Sequence, residues 1–235
     1  MSPKKLQSPN FNDRAKGAGI DYLMMHFTGT KTGKDASAVY MNSSGDGAAG
    51  GVSPHYMIDK DGTVTHFVPE EKRAWHAGAG YWSGIVDMNS HSIGIELVNE
   101  GHNNGFPEFS SAQIEKLKRL SQDIMKRHNI SSANVLAHSD FAPGRKDDPG
   151  PAFPWRNLAS EGIGMWSTVQ PEHEVQARDI LNTRDPHIPF KNCLIELGYN
   201  PELDLETLKE AFSLHFCPHE KNDTVILAKA ISLLQ

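Results

Sequence analysis

His26, His138 and Asp148 are of the types that hold a zinc ion. Three such protein ligands leave a fourth tetrahedral position for water, which is the arrangement of a catalytic site. Zinc lowers the pKa of its water toward ~7, giving a nucleophile strong enough for amides. Residue type and spacing leave the matter open, because separations this wide form no recognisable ligand motif. A lone histidine is more often a surface or hydrogen-bonded core residue, and Asp140 and Asp147 compete for the carboxylate role. Glu96, within SIGIELVNE, offers a general base on a strand. Alternation of Ile93, Ile95 and Leu97 against Gly94, Glu96 and Val98 also suits a plain solvent-facing residue. Lys146, two residues before Asp148, is either a cation for a developing oxyanion or a solvated loop charge, as Arg145 is expected to be.

These residues need elements to carry them. Ile20 to Phe27 is a mostly apolar run ending at Thr28 and Gly29, which predicts a buried strand with His26 near its C-terminal end. Beyond a polar, glycine-rich stretch from Ser43 to Gly51, SPHYMID and TVTHFV flank Lys60, Asp61 and Gly62, the pattern of a hairpin with a tight Asp-Gly turn. SIGIELVNE supplies another strand. Ser110 to His128 has apolar positions at Ile114, Leu117, Leu120, Ile124 and Met125, the spacing of an amphipathic helix. Asn134 to Ala137 reads as a short strand leading into a loop from Phe141 to Pro154 rich in proline and glycine. Strands and helices alternate, so the expected fold is α/β, a central sheet flanked by helices.

At 235 residues the chain suits a larger and a smaller domain. The pattern loosens at LASEGIGMWSTVQ, and a boundary near Gly164 to Thr168 divides 1–166 from 167–235. Beyond it, KNCLIELGY, LDLETLKEAFSLHF and DTVILAKAISLLQ have helical spacing, with Asp204 and Asp223 as N-caps and Gly198 as a C-cap, predicting a small three-helix bundle. A net charge of -6 argues against the broad basic surface that nucleic-acid phosphates require. Two cysteines, Cys193 and Cys217, provide neither a cysteine zinc module nor a disulfide framework. No apolar run reaches the ~20 residues of a membrane span, and Met1 to Arg14 lacks the apolar region of a secretory signal.

HSDFAPGRKDDPGPAFPW, from His138 to Trp155, resembles the signature of the zinc-dependent N-acetylmuramoyl-L-alanine amidases, the family that also includes animal peptidoglycan recognition proteins. MHFTG, SPHYMIDKDGTVTHFVPE, AWHAG and SIGIELVN match further strings in the family's order, covering roughly residues 20 to 160. The resemblance implies one zinc per chain held by His26, His138 and Asp148, Glu96 as catalytic acid and base, and Lys146 as oxyanion stabiliser. It implies a mixed sheet with flanking helices and a peptidoglycan or muropeptide substrate, cut between N-acetylmuramic acid or its anhydro form and L-alanine. His76 and Trp75 of AWHAG, with His55 of SPHY, are the substrate-binding candidates. An orienting role competes for His76, and a structural one is favoured for His55. Trp75, Tyr81 and Trp82 offer apolar faces for a sugar ring, although large aromatics more often fill cores.

The C-terminal strings LIELGY and AFSLHF resemble the peptidoglycan-binding bundle appended to one branch of the family. A plain stabilising bundle is the alternative. If the bundle serves only to raise local substrate concentration, the catalytic machinery should survive its removal. The layout resembles that of envelope amidases acting as monomers in the periplasm, with cytoplasmic recycling of wall fragments as the alternative. An inactive wall-binding protein and a zinc peptidase for other amides are the rival functions. The five residues His26, Glu96, His138, Lys146 and Asp148 favour the enzyme over the former, and the matched strings count against the latter.

Overall fold

The computed structural model describes residues 3–43 and 51–235, so most of the glycine-rich stretch from Ser43 to Gly51 lies outside the described residues. Six strands form the main sheet in the order β1-β5-β4-β7-β3-β8: β1 (Lys4–Lys5), β3 (Tyr22–Phe27), β4 (Tyr56–Ile58), β5 (Val64–His66), β7 (Ser92–Leu97) and β8 (Val135–Ala137). The centre is parallel, with β3 between β7 and β8 and β4 beside β7, while β5 runs antiparallel to β4. A central parallel strand is covered on both faces, and this is why YLMMHF is an almost unbroken apolar run. β2 (Phe11–Asp13) and β6 (Lys72–Ala74) form a separate antiparallel pair. The Asp-Gly hairpin turn is the connection between β4 and β5, with Gly62 at φ +82° and its N–H donating to the Asp59 carbonyl.

Alternation along β3 and β7 divides the sheet's environment in two. Leu23, Met25, Ile93, Ile95 and Leu97 face Leu117 and Ile124 of helix α3 (Ser111–His128). That helix begins with a reciprocal capping box between Ser110 and Gln113 and ends with Asn129 in the left-handed region, while Lys126, Arg127 and His128 complement the dipole of its last turn. The opposite face carries Met24, His26, Gly94 and Glu96. There α1 (Gly33–Met41) packs Ala36 and Tyr40 against Met57 and Val98. α2 (Met88–His91) precedes β7, and α4 (His138–Phe141) and α5 (Trp155–Ala159) follow β8.

The remaining chain is helical: α6 (Pro171–Leu181), α7 (His187–Leu197), α8 (Leu205–Phe216) and α9 (Asp223–Leu233). The three predicted helices are therefore preceded by a fourth. In PEHEVQARDIL few apolar residues mark a face, so α6 is set by proline at its first turn and by docking of Ala177 rather than by strong periodicity. Asp204 caps α8 and Gly198 ends α7 as expected, whereas α9 is capped one residue early, by Asn222. Phe190, Leu194, Tyr199, Leu208 and Phe212 share one apolar cluster with Met24, Trp82, Leu136 and Phe141, so these helices and the sheet bury a common core. Cys193 and Cys217 are free thiols.

Candidate metal centre

Parallel strands bring their carboxyl ends together, and such ends are where open α/β sheets bind ligands. His26 is the penultimate residue of β3, Glu96 is its cross-strand partner on β7, and His138 directly follows β8. The loop after α4 returns so that the Ser139 N–H donates to the Asp148 carbonyl at 3.0 Å, which brings Asp148 back beside His138. Oδ2 of Asp148 lies 2.8 Å from His26 Nδ1 and 3.0 Å from His138 Nδ1, and the two Nδ1 atoms are 3.0 Å apart. All three residues are buried. Three converging donors of nitrogen and carboxylate type suit a zinc ion bound at ~2.0–2.2 Å. Asp147 instead faces His102 at 3.1 Å, and Asp140 points away from the cluster.

Outer hydrogen bonds fix which imidazole nitrogen faces the cluster. His138 Nε2–H donates to the Ala77 carbonyl at 2.7 Å, leaving the Nδ1 lone pair free for an ion. His26 Nε2–H donates to His76 Nδ1 at 3.0 Å, His76 Nε2–H to Ser92 Oγ at 3.3 Å, and the Ser92 hydroxyl to the Met88 carbonyl at 2.6 Å. This relay orients His26 from behind. Gly94 makes room for it, since a β-carbon at that position would fall 2.5 Å from the His76 ring. Burial, followed by repulsion from His138, lowers the His26 pKa to about 4, and burial next to His26 lowers that of His76 well below its ordinary value. Burial opposes ionisation of Asp148, yet the His138 and His26 imidazoles beside it hold its carboxyl far below the usual range. A neutral His26 imidazole and an ionised Asp148 carboxylate, with His138 Nδ1 turned toward both, form a competent ligand set.

The cluster lies at the base of a cleft of about 560 Å³ lined also by Phe27, Tyr40, Trp75, His76, Glu96 and Lys146. Burial and then the nearby Asp148 charge push the Glu96 carboxyl well above its ordinary pKa, while Lys146 and the Tyr40 hydroxyl pull the other way. Among the described residues Glu96 Oε2 has no hydrogen-bond partner, and it is buried. A carboxylate so placed has strong proton affinity and a free lone pair, as a general base requires.

Of the substrate-binding candidates, Trp75 lines the cleft with its indole N–H held by Asn12 Oδ1, and His76 lines it while supporting His26. His55 is not among the residues lining the cleft: it is fully buried, accepts from the Gly94 N–H at Nδ1 and donates to the Lys72 carbonyl. Trp82 packs edge-on to Tyr199 in the shared core rather than offering a sugar platform. Arg145 is not a free surface charge, since it donates to the carbonyls of Ala77 and Ala79. Sequence reasoning missed Tyr40, which carries no motif and reaches Glu96 only through the docking of α1. It also missed the contribution of α8, whose Glu210, Ala211 and Leu214 line the cleft from the far end of the chain.

Residues 16–151 match the family described as N-acetylmuramoyl-L-alanine amidase. The N-acetylmuramoyl-L-alanine amidase AmiD of Escherichia coli K12 is 37% identical over 222 residues, which is 85% of this chain and 75% of AmiD. The 1,6-anhydro-N-acetylmuramyl-L-alanine amidase AmpD of Enterobacter cloacae is 44% identical over 104 residues, 44% of this chain and 54% of its own length. The structure of AmiD from E. coli with anhydro-N-acetylmuramic acid-L-Ala-D-gamma-Glu-L-Lys covers 94% of this chain and 91% of its own, with a TM-score of 0.75 and 33% identity. AmpDh3 from Pseudomonas aeruginosa, in complex with anhydromuramic pentapeptide, covers 93% of each chain with a TM-score of 0.76 and 28% identity.

Proposed function

The chain belongs to the N-acetylmuramoyl-L-alanine amidase family, and from that premise we propose that it uses one zinc ion to hydrolyse the amide joining N-acetylmuramic acid, or its anhydro form, to L-alanine of the peptidoglycan stem peptide. The observation that carries this reading is the convergence of His26, His138 and Asp148 beside Glu96, whose Oε2 has no partner among the described residues, in one cleft. His26, His138 and Asp148 would hold the zinc, which when bound would supply Lewis acidity for activating water and polarising the scissile carbonyl.

The protein's own groups do the rest. Glu96 takes the proton released as water adds to the carbonyl carbon, and returns it to the alanine nitrogen as the carbon–nitrogen bond breaks. Lys146, in the cleft wall, balances the negative charge that builds on the carbonyl oxygen. His76 holds the ligand His26 in orientation, and Trp75 presents an aromatic face to the sugar or peptide. Residues 1–166 form the catalytic part in this reading and 167–235 the helical part. The protein acts as a monomer on muropeptides in the bacterial envelope. For the described residues, no helix is long and apolar enough to cross a membrane.

The test is release of L-alanyl peptide from an anhydro-muropeptide, followed by mass spectrometry. Chelation should abolish release and zinc restore it. Undiminished activity in protein shown to be free of metal would refute the zinc reading.

A further inference from the structure

Two residues beyond His138, the Asp140 side chain is 1% exposed and its carboxylate is fully engaged. Oδ2 accepts from the Ala137 N–H at 2.8 Å and from His215 Nδ1–H at 2.7 Å, and Oδ1 accepts from the Tyr199 hydroxyl at 2.6 Å. Both side-chain donors come from the C-terminal helices: Tyr199 follows α7 and His215 is on α8, and both are buried. The His215 ring also stacks on Trp155 with centroids 3.8 Å apart. The loop that carries Asp148 is pressed against the same helix, since a β-carbon on Gly144 would approach Thr207 Cγ2 at 3.1 Å.

A staple whose only purpose was to hold the helices down could grip any part of the sheet. This one grips α4, a helix of four residues whose first residue is His138 and whose third is Asp140. Within one helical turn, displacement of Asp140 displaces His138. Losing either donor leaves a buried carboxylate short of a partner, and the short helix that carries it is the element free to shift.

We propose that Asp140, clamped by Tyr199 and His215, is a positioning residue for His138, so that the C-terminal helices are part of the metal centre rather than an appendage to it. The proposal rests on the zinc reading above. It opposes the expectation that the catalytic machinery survives removal of those helices.

The test uses the full chain freed of metal, with zinc affinity measured by competition against a chromophoric chelator and melting followed on the same samples. Tyr199→Phe and His215→Leu should bind zinc about tenfold more weakly, the low end of the range for loss of an outer-sphere partner, because they act on His138 through Asp140. His215→Asn, whose amide N–H reproduces the Nδ1 donor, should recover most of that loss. Phe190→Leu, a core change that removes no hydrogen bond of the clamp, should lower the melting temperature and leave zinc affinity alone. Wild-type zinc affinity in both Tyr199→Phe and His215→Leu, or no advantage of His215→Asn over His215→Leu, would overturn the proposal and reduce the clamp to a structural staple. If His215→Leu fails to fold, Tyr199→Phe removes one hydroxyl only and decides the matter. A wild-type chain that binds no zinc removes this proposal together with the reading beneath it, whereas wild-type binding with unaltered variants removes this proposal alone.

Discussion

His26 and Glu96 are Cα partners across the parallel pairing of β3 and β7, so the imidazole and the carboxylate stand on one face of the sheet, one strand apart. Neighbouring strands in a sheet lie ~4.8 Å apart, a spacing set by the backbone and not by either side chain. The relative placement of base and ligand is therefore as rigid as the sheet.

Glu96→Gln should keep that geometry and lose the proton acceptor. Turnover should fall about 10²–10⁴-fold, the usual contribution of a general base, with zinc content by atomic absorption unchanged. Loss of zinc together with activity would instead assign Glu96 to metal retention.

His138→Ala removes one of the three proposed ligands. Both zinc and activity should be lost, and excess zinc in the assay should not restore the rate. Full activity in this variant would exclude His138 from the site.

Lys146→Met should lower kcat by about 10²–10³-fold if the ammonium stabilises the oxyanion. A second readout is the pH profile. A base at Glu96 works when deprotonated, so activity should fall as pH drops through its raised pKa, and the nearby Lys146 charge opposes that rise. Its removal should move the acid limb of kcat/KM to higher pH. An acid limb that stays in place would dissociate Lys146 from Glu96.

His76→Ala distinguishes support from substrate contact. If the relay through Ser92 is what matters, zinc affinity should fall about 10–100-fold with KM little changed. Gly94→Ala should reproduce the effect, because its new methyl group collides with the His76 ring. A raised KM with normal zinc affinity would make His76 a substrate ligand.

Glu70 supplies a test of stability remote from the chemistry. Burial opposes its ionisation, but hydrogen bonds from Arg127, His128 and Tyr56 hold its pKa down at about 2. A depressed carboxyl pKa stabilises the fold in full above the unfolded value of ~4.3, and the contribution drains away as pH falls toward the folded value. Glu70→Gln should lower the melting temperature by about 2–6 °C at pH 6, and the gap should narrow by more than half at pH 3. A gap independent of pH would show that the charge on Glu70 contributes nothing.

The buried strands and the long helix were legible because their apolar residues repeat at the period of the element: YLMMHF and SIGIEL between turns, Leu117 and Ile124 seven apart on α3. The gathering of His26, His138 and Asp148 was not legible from spacing, since strand order brings them together and only the resemblance of the surrounding strings pointed there. Tyr40, Ser92 and Gly94 stayed invisible for the same reason: each acts through a neighbour distant in the chain. Asp140 was noticed as a carboxylate near the right place, but its partners Tyr199 and His215 lie 59 and 75 residues away. α6 went unread because its sequence declares no face.

Helix α8 contributes Glu210, Ala211 and Leu214 to the cleft wall. A ribosome makes those residues well after His26, Glu96, His138 and Asp148 have been polymerised. A nascent chain thus carries the clustered histidines and carboxylates before it carries the helix that walls their cleft, and the groove is completed on that side only once α8 has docked.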